Sequence, residues 1–500
     1  MDHPTSVFTL RRTAGVLLHI TSLPSGDLGD DALRFAEYLK AAGQSAWQIM
    51  PLGPPGPGNS PYAARSAFAG NPALISMQRL VEEGLLEPHE IDGAHHGGLR
   101  LDDSAREELL RRAFDRFQAS GRGHEVDAFA QRDWVGPQSL WMALRNRYGR
   151  PWWEWSPEHR DSRVATHSLD EALQAEMRFH AFVQLVFERQ WQRVRDHVRW
   201  LGLTLVGDLP IFVDRDSADA WANPEIFKLD ADLEPRVVAG VPPDAFSETG
   251  QRWGNPLYDW PSNRASGYHW WVSRIQRTFE LVDVVRLDHF RGFQAAWEIP
   301  ADADTAMEGA WADGPGLELF ASLEAAVGKG RFIVEDLGLI TDDVRFLRHN
   351  LGYPGMAVLQ FAFGDHHDTF LNPHLPHNHE ARFVVYTGTH DNDTTAGWFT
   401  HLGDFERSNL VRYLGRLPAG PAEAADELIR LCYSSPARTA IVPFQDVLQL
   451  GSEARMNVPG VAEGNWSWRF SWDQVHPERT SWLRGLAETY GRCQDHPRER

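Results

Sequence analysis

The chain has 500 residues and carries 49 lysine and arginine residues against 69 aspartate and glutamate residues, which gives a formal net charge of −20. This acidic composition argues against nucleic acid and anionic membranes as partners, because both require basic surfaces. The sequence contains only two cysteines, Cys432 and Cys493, and no run of about 18 apolar residues that would span a bilayer. We therefore expect a cytoplasmic protein without a disulfide framework.

The first predicted elements form a strand–helix–strand unit. Two arginines precede the apolar run 15–21, which superficially resembles an export signal, but the run is short, contains His19 and has no small-residue cleavage site behind it. We interpret this run as a strand that is followed by a helix over 31–43 and a second strand over 46–52. A unit of this length predicts a right-handed parallel crossover.

A long loop rich in proline and glycine follows over residues 51–72. A loop of this length without secondary structure inside a compact protein is more often functional than not. Residues 73–170 are charged, helical in pattern and without strand signals, which indicates an insertion. Residues 172–201 then show apolar residues at spacings of three to four, the pattern of one long amphipathic helix.

Strand-like runs recur through the rest of the chain, with helical stretches between several of them. They cover residues 203–213, 282–288, 332–336, 357–363, 383–391 and 439–448. Together with the first two strands they make eight, the number that closes a (β/α)8 TIM barrel of the α/β class. An open doubly wound sheet is the alternative, but no G-x-G-x-x-G motif follows a strand.

We interpret residues 1–500 as a single catalytic barrel domain with large helical insertions between its strands. The insertions are expected at approximately 53–170, 214–263 and 294–316, where they would form subdomains around the active-site cleft. The end of the chain predicts a final helix and a charged tail, so no separate C-terminal β domain is expected.

The stretch 282–293, VDVVRLDHFRGF, predicts a buried strand that ends in charged residues. Arg286 and Asp288 are two positions apart, so strand alternation directs both side chains to the same side. We expect the arginine to keep the carboxylate ionised and to lower its pKa, which suits a nucleophile. For one isolated aspartate, a capping role would be the simpler interpretation.

Acidic residues also follow other predicted strands. The four acids at strand ends are Asp208, Asp288, Glu335 and Asp391. In a barrel these ends converge on one rim, where mutual repulsion between carboxylates costs stability. Such a cost is usually tolerated for catalysis, so the joint pattern indicates an active site.

Cleavage of a glycosidic bond is a reaction that uses several carboxylates without a metal or cofactor. One acid protonates the leaving oxygen, and another attacks the anomeric carbon or activates water. Glu335 is the more plausible proton donor, and Asp288 beside Arg286 is the more plausible nucleophile. Asp391 is then available to grip sugar hydroxyls and help distort the ring.

Metal-dependent hydrolases on the same fold are the main rival, because their metal sites use imidazoles placed together at strand ends. Here His19, His289 and His390 occur singly. The histidine-rich stretch 366–380, with His377 and His379, precedes a strand and is expected to be a solvated loop. We therefore predict no metal site and no cofactor.

At this level of detail the sequence resembles the 4-α-glucanotransferases of the amylomaltase or disproportionating-enzyme type, within the α-amylase-like group. The resemblance extends over essentially the whole chain and includes long, unusual strings. These are SPY…SAFAGNP (60–72), GDLPIFV (207–213), VAGVPPDAFSETGQRWGNPLYDW (238–260), RLDHFRGF (286–293), VEDLG (334–338), GTHDNDT (388–394) and RMNVPG…GNWSWR (455–469).

The resemblance implies a retaining reaction that moves segments of α-1,4-glucan from a donor to glucose or a glucan acceptor, and it can extend to cyclic products. Asp288 is then the nucleophile, Glu335 the acid/base and Asp391 the transition-state stabiliser, with the carboxyl groups of the first two about 5–5.5 Å apart. The implied substrate-binding residues are Ser60, Tyr62, Asp208, Trp253, Arg286, Asp365 and His390. For Trp253 a buried core position is the alternative.

Two positions depart from the pattern of that family, since Pro57 and Ala245 stand where tyrosines are frequent. The loss of two rings would weaken stacking on long glucans, because aromatic faces supply much of the area that binds sugars. A simple α-glucan hydrolase and a non-catalytic glucan-binding protein remain alternative functions. The intact set of Asp288, Glu335 and Asp391 argues against the second.

Overall fold

The computed structural model describes residues 11–91, 103–243, 247–364, 369–461 and 463–493. Within these ranges eight strands pair in parallel to form one sheet. They are β1 Thr13–Leu17, β2 Ala46–Gln48, β3 Thr204–Leu209, β4 Val284–Leu287, β5 Phe332–Val334, β6 Met356–Val358, β7 Val384–Tyr386 and β8 Thr439–Pro443. The first predicted strand is therefore present, but it covers Thr13–Leu17, and the end of the predicted run 15–21 enters a 3-10 turn, Ile20–Ser22.

The strands follow one another around the sheet in the order β6-β7-β8-β1-β2-β3-β4-β5, so the two ends of the sheet are consecutive in sequence. Backbone contacts bridge this seam: the Val334 N–H donates to the Pro354 carbonyl at 2.9 Å, and the Met356 N–H donates to Asp336 Oδ1 at 2.7 Å. The sheet is thus a nearly closed (β/α)8 barrel, which confirms the predicted fold.

Apolar residues from all eight strands fill the interior of the barrel. They are Leu17, Ala46, Val206, Val284, Ile333, Met356, Val358, Val384, Tyr386 and Ile441. Their neighbours one position along, such as Val285 and Leu287, belong instead to the large core between sheet and helices. Alternation along the strands therefore fixes which side chains point into the barrel axis, and each position two residues beyond an interior residue points to the upper interior.

Helices surround the barrel and form the first large insertion. The helices are Asp30–Ala41, Met77–Glu82, Asp103–Ala119, Gly123–Phe129, Val135–Tyr148, Pro157–Arg160, Ser162–Ala165, Glu171–Trp200, Ala218–Ala222, Trp260–Ala265, His269–Leu281, Gly316–Val327, Asp342–Leu351, Thr395–His401, Asp404–Leu414, Pro421–Ser434, Phe444–Val447 and Pro477–Thr489. The predicted long helix 172–201 is confirmed as Glu171–Trp200. No helix among the described residues is long and apolar enough to cross a membrane.

The later insertions contain β-structure that the sequence analysis did not predict. Across the described ranges, a second sheet of four antiparallel strands, here called the side sheet, has the order Gln251–Pro256, Val237–Val241, Ala295–Pro300 and Ala310–Asp313. These strands have four to six residues and several are half exposed, so they lack the long apolar alternation that marks a strand. The expectation of helical insertions is thus correct for the region before 170 and wrong for this one.

Candidate active site

Strand alternation brings the strand-end residues Asp208, Arg286 and Glu335 to the upper rim, whereas Asp391 lies in the turn after β7. Val206, Val284 and Ile333 point into the lower barrel. The same alternation brings Asp208, Arg286 and Glu335 to the upper interior. The backbone stays in the sheet up to this level: the Glu335 N–H donates to the Leu287 carbonyl at 3.0 Å, and the Asp288 N–H donates to the Leu209 carbonyl at 3.0 Å. The acids are therefore held on rigid strand ends.

Arg286 is the centre of this rim and connects the acids of three strands. Its Nη1 lies 2.6 and 2.8 Å from the two carboxylate oxygens of Asp208 and 2.9 Å from Asp288 Oδ1. Its Nη2 lies 3.3 Å from Glu335 Oε2. The side chains of Arg286 and Asp208 are 4 % and 1 % exposed, whereas Asp288 and Glu335 are 23 % and 20 % exposed. Asp208 is therefore an internal partner of the arginine, and the other two carboxylates face the cleft.

The pKa of Asp288 is raised well above its usual value, so the expectation that its net pKa is lowered beside Arg286 is wrong. Burial is the largest cause, and repulsion from Glu335 and Asp208 adds to it, while Arg286 acts in the opposite direction. One guanidinium faces several carboxylates here and cannot neutralise them all. Asp288 consequently releases its proton less readily than an isolated aspartate does.

Glu335 is oriented by the backbone that follows the nucleophile candidate. Its Oε2 accepts a hydrogen bond of 2.7 Å from the N–H of His289. His289 has a left-handed backbone conformation with φ +48° and ψ +50°, which is uncommon for a residue other than glycine. Burial lowers the pKa of the His289 imidazole to about 4, so the ring is neutral near pH 7. The left-handed turn at His289 thus directs the backbone N–H of that residue onto the Glu335 carboxylate.

Asp391 lies in the turn after β7 and is held by groups from two segments. His390 Nε2 is 3.3 Å from its Oδ2, and Asn457 Nδ2 donates to its Oδ1 at 2.6 Å. Enclosure in the rim acts to raise the pKa of Asp391, but His390, Asn457 and Arg286 outweigh it and the pKa is lowered. Asp391 is therefore ionised under all ordinary conditions. Its side chain is 47 % exposed and faces the open cleft.

Tyr62 connects the Arg286 cluster with Asp391. Its hydroxyl donates to Asp208 Oδ2 at 2.7 Å and lies 3.3 Å from His390 Nδ1. The Tyr62 and His390 rings stack with centroids 4.8 Å apart, and the neighbouring Ser60 Oγ accepts from the Tyr62 N–H at 3.3 Å. Contacts thus run without interruption from Asp288 through Arg286, Asp208, Tyr62 and His390 to Asp391.

Trp253 lies on the side sheet and is 39 % exposed, so the alternative of a buried core ring is wrong. Its ring meets the His289 ring edge-on, with centroids 4.9 Å apart, and the backbone N–H of the same histidine donates to Glu335. Pro57 begins a short 3-10 turn that ends at Asn59 in the proline-rich loop. Asp365 and Ala245 lie outside the described residues.

Part of the histidine-rich stretch 366–380 is buried in the structure. His366 and His367 lie outside the described residues. His379 was expected in a solvated loop, but it is buried, with Nδ1 2.7 Å from Ser435 Oγ and Nε2 2.9 Å from the His374 carbonyl. His377 is the more exposed of the two and lies 3.2 Å from the Tyr413 hydroxyl.

Sequence reasoning missed the contacts of Arg455, Asn457 and Trp466, which lie against one side of the site. Arg455 donates to the Asp391 carbonyl at 2.7 Å, and the Asn457 N–H donates to the His390 carbonyl at 3.1 Å. The Trp466 ring lies 5.8 Å from both Tyr62 and His390. The motif RMNVPG was noticed as a signature string, but nothing in its spacing indicated a contact with a residue some 66 positions earlier.

The chain is similar to known proteins over almost its whole length. The profile of the family described as 4-alpha-glucanotransferase matches residues 18–474. The 4-alpha-glucanotransferases of Thermus thermophilus and Aquifex aeolicus (strain VF5) are 46 % and 44 % identical, and each alignment covers 96 % of this chain and 99 % of the relative. The fold matches an amylomaltase from Streptococcus agalactiae in complex with acarbose, at a TM-score of 0.91 and 34 % identity, over 97 % of this chain and 100 % of that one. The chain therefore belongs to the 4-alpha-glucanotransferase family, as the sequence analysis predicted.

Proposed function

We propose that this enzyme moves α-1,4-linked glucan segments by a retaining double displacement with Asp288, Glu335 and Asp391 as its catalytic residues. The donor is a maltooligosaccharide or a starch-like glucan, and the acceptor is the 4-hydroxyl of glucose or of another glucan. The observation that carries the proposal is that Asp288 and Glu335, from adjacent barrel strands, are held at the cleft by the single guanidinium of Arg286. Two carboxyl groups close together are the arrangement of a retaining pair.

In the first step Asp288 attacks the anomeric carbon while Glu335 gives its proton to the departing glycosidic oxygen. The bond between Asp288 and the sugar forms as the glycosidic bond breaks, and the shortened glucan leaves with the proton of Glu335. This step requires one proton on the pair, located on Glu335. Burial and carboxylate repulsion raise the pKa of Asp288, and the Arg286 guanidinium 2.9 Å away favours the ionised form that attacks the sugar.

In the second step the acceptor hydroxyl replaces the leaving glucan. Glu335, now ionised, takes the proton of the 4-hydroxyl as its oxygen attacks the anomeric carbon, and Asp288 is released as a carboxylate. When the donor is short, the leaving group is glucose. When glucose is in excess, glucose acts as the acceptor. The proton balance is restored at the end of each cycle, because Glu335 receives the proton that it gave away.

Asp391 has the properties of a residue that stabilises the transition state. It is ionised and nearly half exposed in the cleft, so its oxygens are available to accept hydrogen bonds from sugar hydroxyls. Tyr62, His390 and Trp253 present ring surfaces and polar atoms around the same space. We assign Ser60 and Asp365 to substrate binding on the resemblance alone, and Asp208 to the support of Arg286 and Tyr62 rather than to direct sugar contact.

Transfer rather than hydrolysis requires that water is excluded while an acceptor is held in line. We propose that the insertions at 53–170, 214–263 and 294–316 form subdomains that wall the cleft of a single barrel domain. The proline-rich loop carries Tyr62 and the side sheet carries Trp253, so both insertions reach the rim. Deletion of residues 244–252 should raise hydrolysis relative to transfer, and an unchanged ratio would contradict this assignment.

Incubation of the pure protein with maltotriose tests the proposed function. A ladder of longer products together with glucose is the expected result, because each covalent glucosyl unit passes to another sugar. Shorter products alone would mean hydrolysis, and unchanged maltotriose would mean binding without catalysis. Either of those results overturns the proposal.

We also propose a reducing, cytoplasmic location. Cys432 is buried as a free thiol, and burial raises its pKa to about 12, so it is protected from oxidation. Cys493 is also unpaired. Fusion to a compartment marker and fractionation of the source cells would test this, and recovery in an oxidising compartment would contradict it.

A further inference from the structure

The segment 455–457 docks onto the turn that carries Asp391. Arg455 Nη2 donates to the Asp391 carbonyl at 2.7 Å, and Arg455 Nε donates to the Asn457 carbonyl at 2.7 Å. The Asn457 N–H donates to the His390 carbonyl at 3.1 Å. These contacts hold the backbones of the two segments together. None of them uses the Asn457 side chain.

That side chain reaches the reactive end of Asp391. Asn457 Nδ2 donates to Asp391 Oδ1 at 2.6 Å, while His390 Nε2 lies 3.3 Å from the other oxygen. The two carboxylate oxygens are therefore held from opposite sides. A carboxylate that is held in this way keeps one rotamer and favours its ionised form, because hydrogen bonds to the charged form stabilise it.

We propose that Asn457 is a positioning residue for the transferase reaction, which holds Asp391 ionised and aligned with the sugar hydroxyls. This inference rests on the proposed function, since it assigns Asn457 a role only through Asp391. The effect of Asn457 should be strongest in the transition state, when Asp391 binds the sugar hydroxyls most strongly.

The groups that face Asp391 set the pH behaviour to be expected. They are His390, Arg286, the Tyr62 phenol and Asn457, with Arg455 on the backbone carbonyl. Burial and Asp208 keep the pKa of Tyr62 well above its usual value, so the phenol stays neutral. Removal of the Asn457 donor leaves His390 and Arg286 in place, so the pKa of Asp391 should rise from its lowered value into the acidic limb of the kcat profile and stay below the neutral range. An aspartate at 457 adds a like charge at 2.6 Å and should raise it further.

The test compares Asn457→Ala and Asn457→Asp with Asn465→Ala. Asn465 lies in the same segment, where Oδ1 accepts from the Val458 N–H at 2.9 Å and Nδ2 donates to the Val461 carbonyl at 2.8 Å. Its loss therefore loosens the segment without removing a bond to Asp391. Glucose release from maltotriose is measured as kcat and KM across pH, and thermal unfolding is measured for every variant.

We expect Asn457→Ala to lower kcat between about tenfold and a hundredfold, which corresponds to the loss of one hydrogen bond to a charged group. KM should change much less, and the acidic limb of the kcat profile should move to higher pH, further in Asn457→Asp. Asn465→Ala should lower the unfolding temperature without moving that limb. An unmoved limb in both Asn457 variants, or an equal shift in Asn465→Ala, would overturn the inference. The kcat profiles can be measured only if the wild-type enzyme disproportionates maltotriose. An inactive wild-type enzyme would therefore contradict the proposed function, whereas an active one with unmoved variants would contradict only the role of Asn457.

Discussion

Replacement of Arg286 by methionine should make the stability of the protein strongly pH-dependent. Methionine has a similar length but no charge, so the carboxylates of Asp208, Asp288 and Glu335 would lose their shared cation. Removal of one partner of a buried ion pair costs about 3–5 kcal/mol, because the remaining charge stays buried and unpaired. With the guanidinium 4 % exposed, water cannot replace it at the Asp208 carboxylate, and we expect the upper half of that range near pH 8.

The sign of the pH effect follows from Asp288. Its pKa in the folded protein already lies above the unfolded value, so its protonated form stabilises the fold at low pH, and this contribution is lost as pH rises through the folded pKa. Loss of Arg286 removes the group that opposes this shift. The deficit of Arg286→Met should therefore be small near pH 4 and should grow with rising pH as the carboxylates ionise.

Urea unfolding, followed by tryptophan fluorescence at several pH values, measures this deficit. Arg291→Met is the matched control, since Arg291 is also buried but stacks on Trp311 at 3.8 Å and has no carboxylate partner among the ion pairs of the described residues. It should destabilise the protein by an amount that does not change with pH. A deficit below about 1 kcal/mol for Arg286→Met near pH 8, or an equal pH slope in both variants, would refute the reasoning.

Three further predictions concern the reaction. Glu335→Gln should lower maltotriose turnover by more than about a hundredfold. It should spare the first step with an α-maltosyl fluoride donor, because the fluoride leaving group needs no proton. Equal losses on both donors would exclude Glu335 as the acid. Trp253→Ala should raise KM for maltotriose about tenfold with a smaller change in kcat, whereas Trp200→Ala, 77 % exposed at a helix end, should change neither. Tyrosines at Pro57 and Ala245 together should lengthen the products from amylose, and an unchanged product distribution would refute the stacking argument.

The barrel and the placement of its acids could be predicted from the sequence because both depend on local geometry. Strand alternation has a fixed period of two, so Val284 in the lower interior determines that Arg286 and Asp288 point to the same side above it. Buried parallel strands also have long apolar runs, which makes each of them visible in the sequence. The predicted runs were longer than the strands: 439–448 became β8 and the helix Phe444–Val447. The apolar pattern alone does not separate a buried strand from a buried helical turn.

The side sheet and the Asn457 contact share one physical reason that kept them from being predicted. Both depend on contacts with residues from elsewhere in the chain. Strands such as Ala310–Asp313 are stabilised by pairing with neighbours that come from elsewhere in the chain, and their own residues are half exposed. Asn457 lies on a loop, and a hydrogen bond to Asp391 depends on how the segment after β8 folds back over the rim. Neither feature leaves a periodic signal.

The charge state of Asp288 shows why a local pair is insufficient to assign a nucleophile. Arg286 and Asp288 alone would form an ion pair with a lowered carboxylate pKa. The fold adds Asp208 from β3, whose two oxygens are both closer to Arg286 Nη1 than the Asp288 oxygen is, and Glu335 from β5. The arginine is therefore shared, and the cleft retains an excess of negative charge. That excess raises the pKa of Asp288 above the value that Arg286 and Asp288 alone would give, so the assignment of Asp288 as nucleophile rests on its position at the cleft and on the resemblance, and not on a lowered pKa.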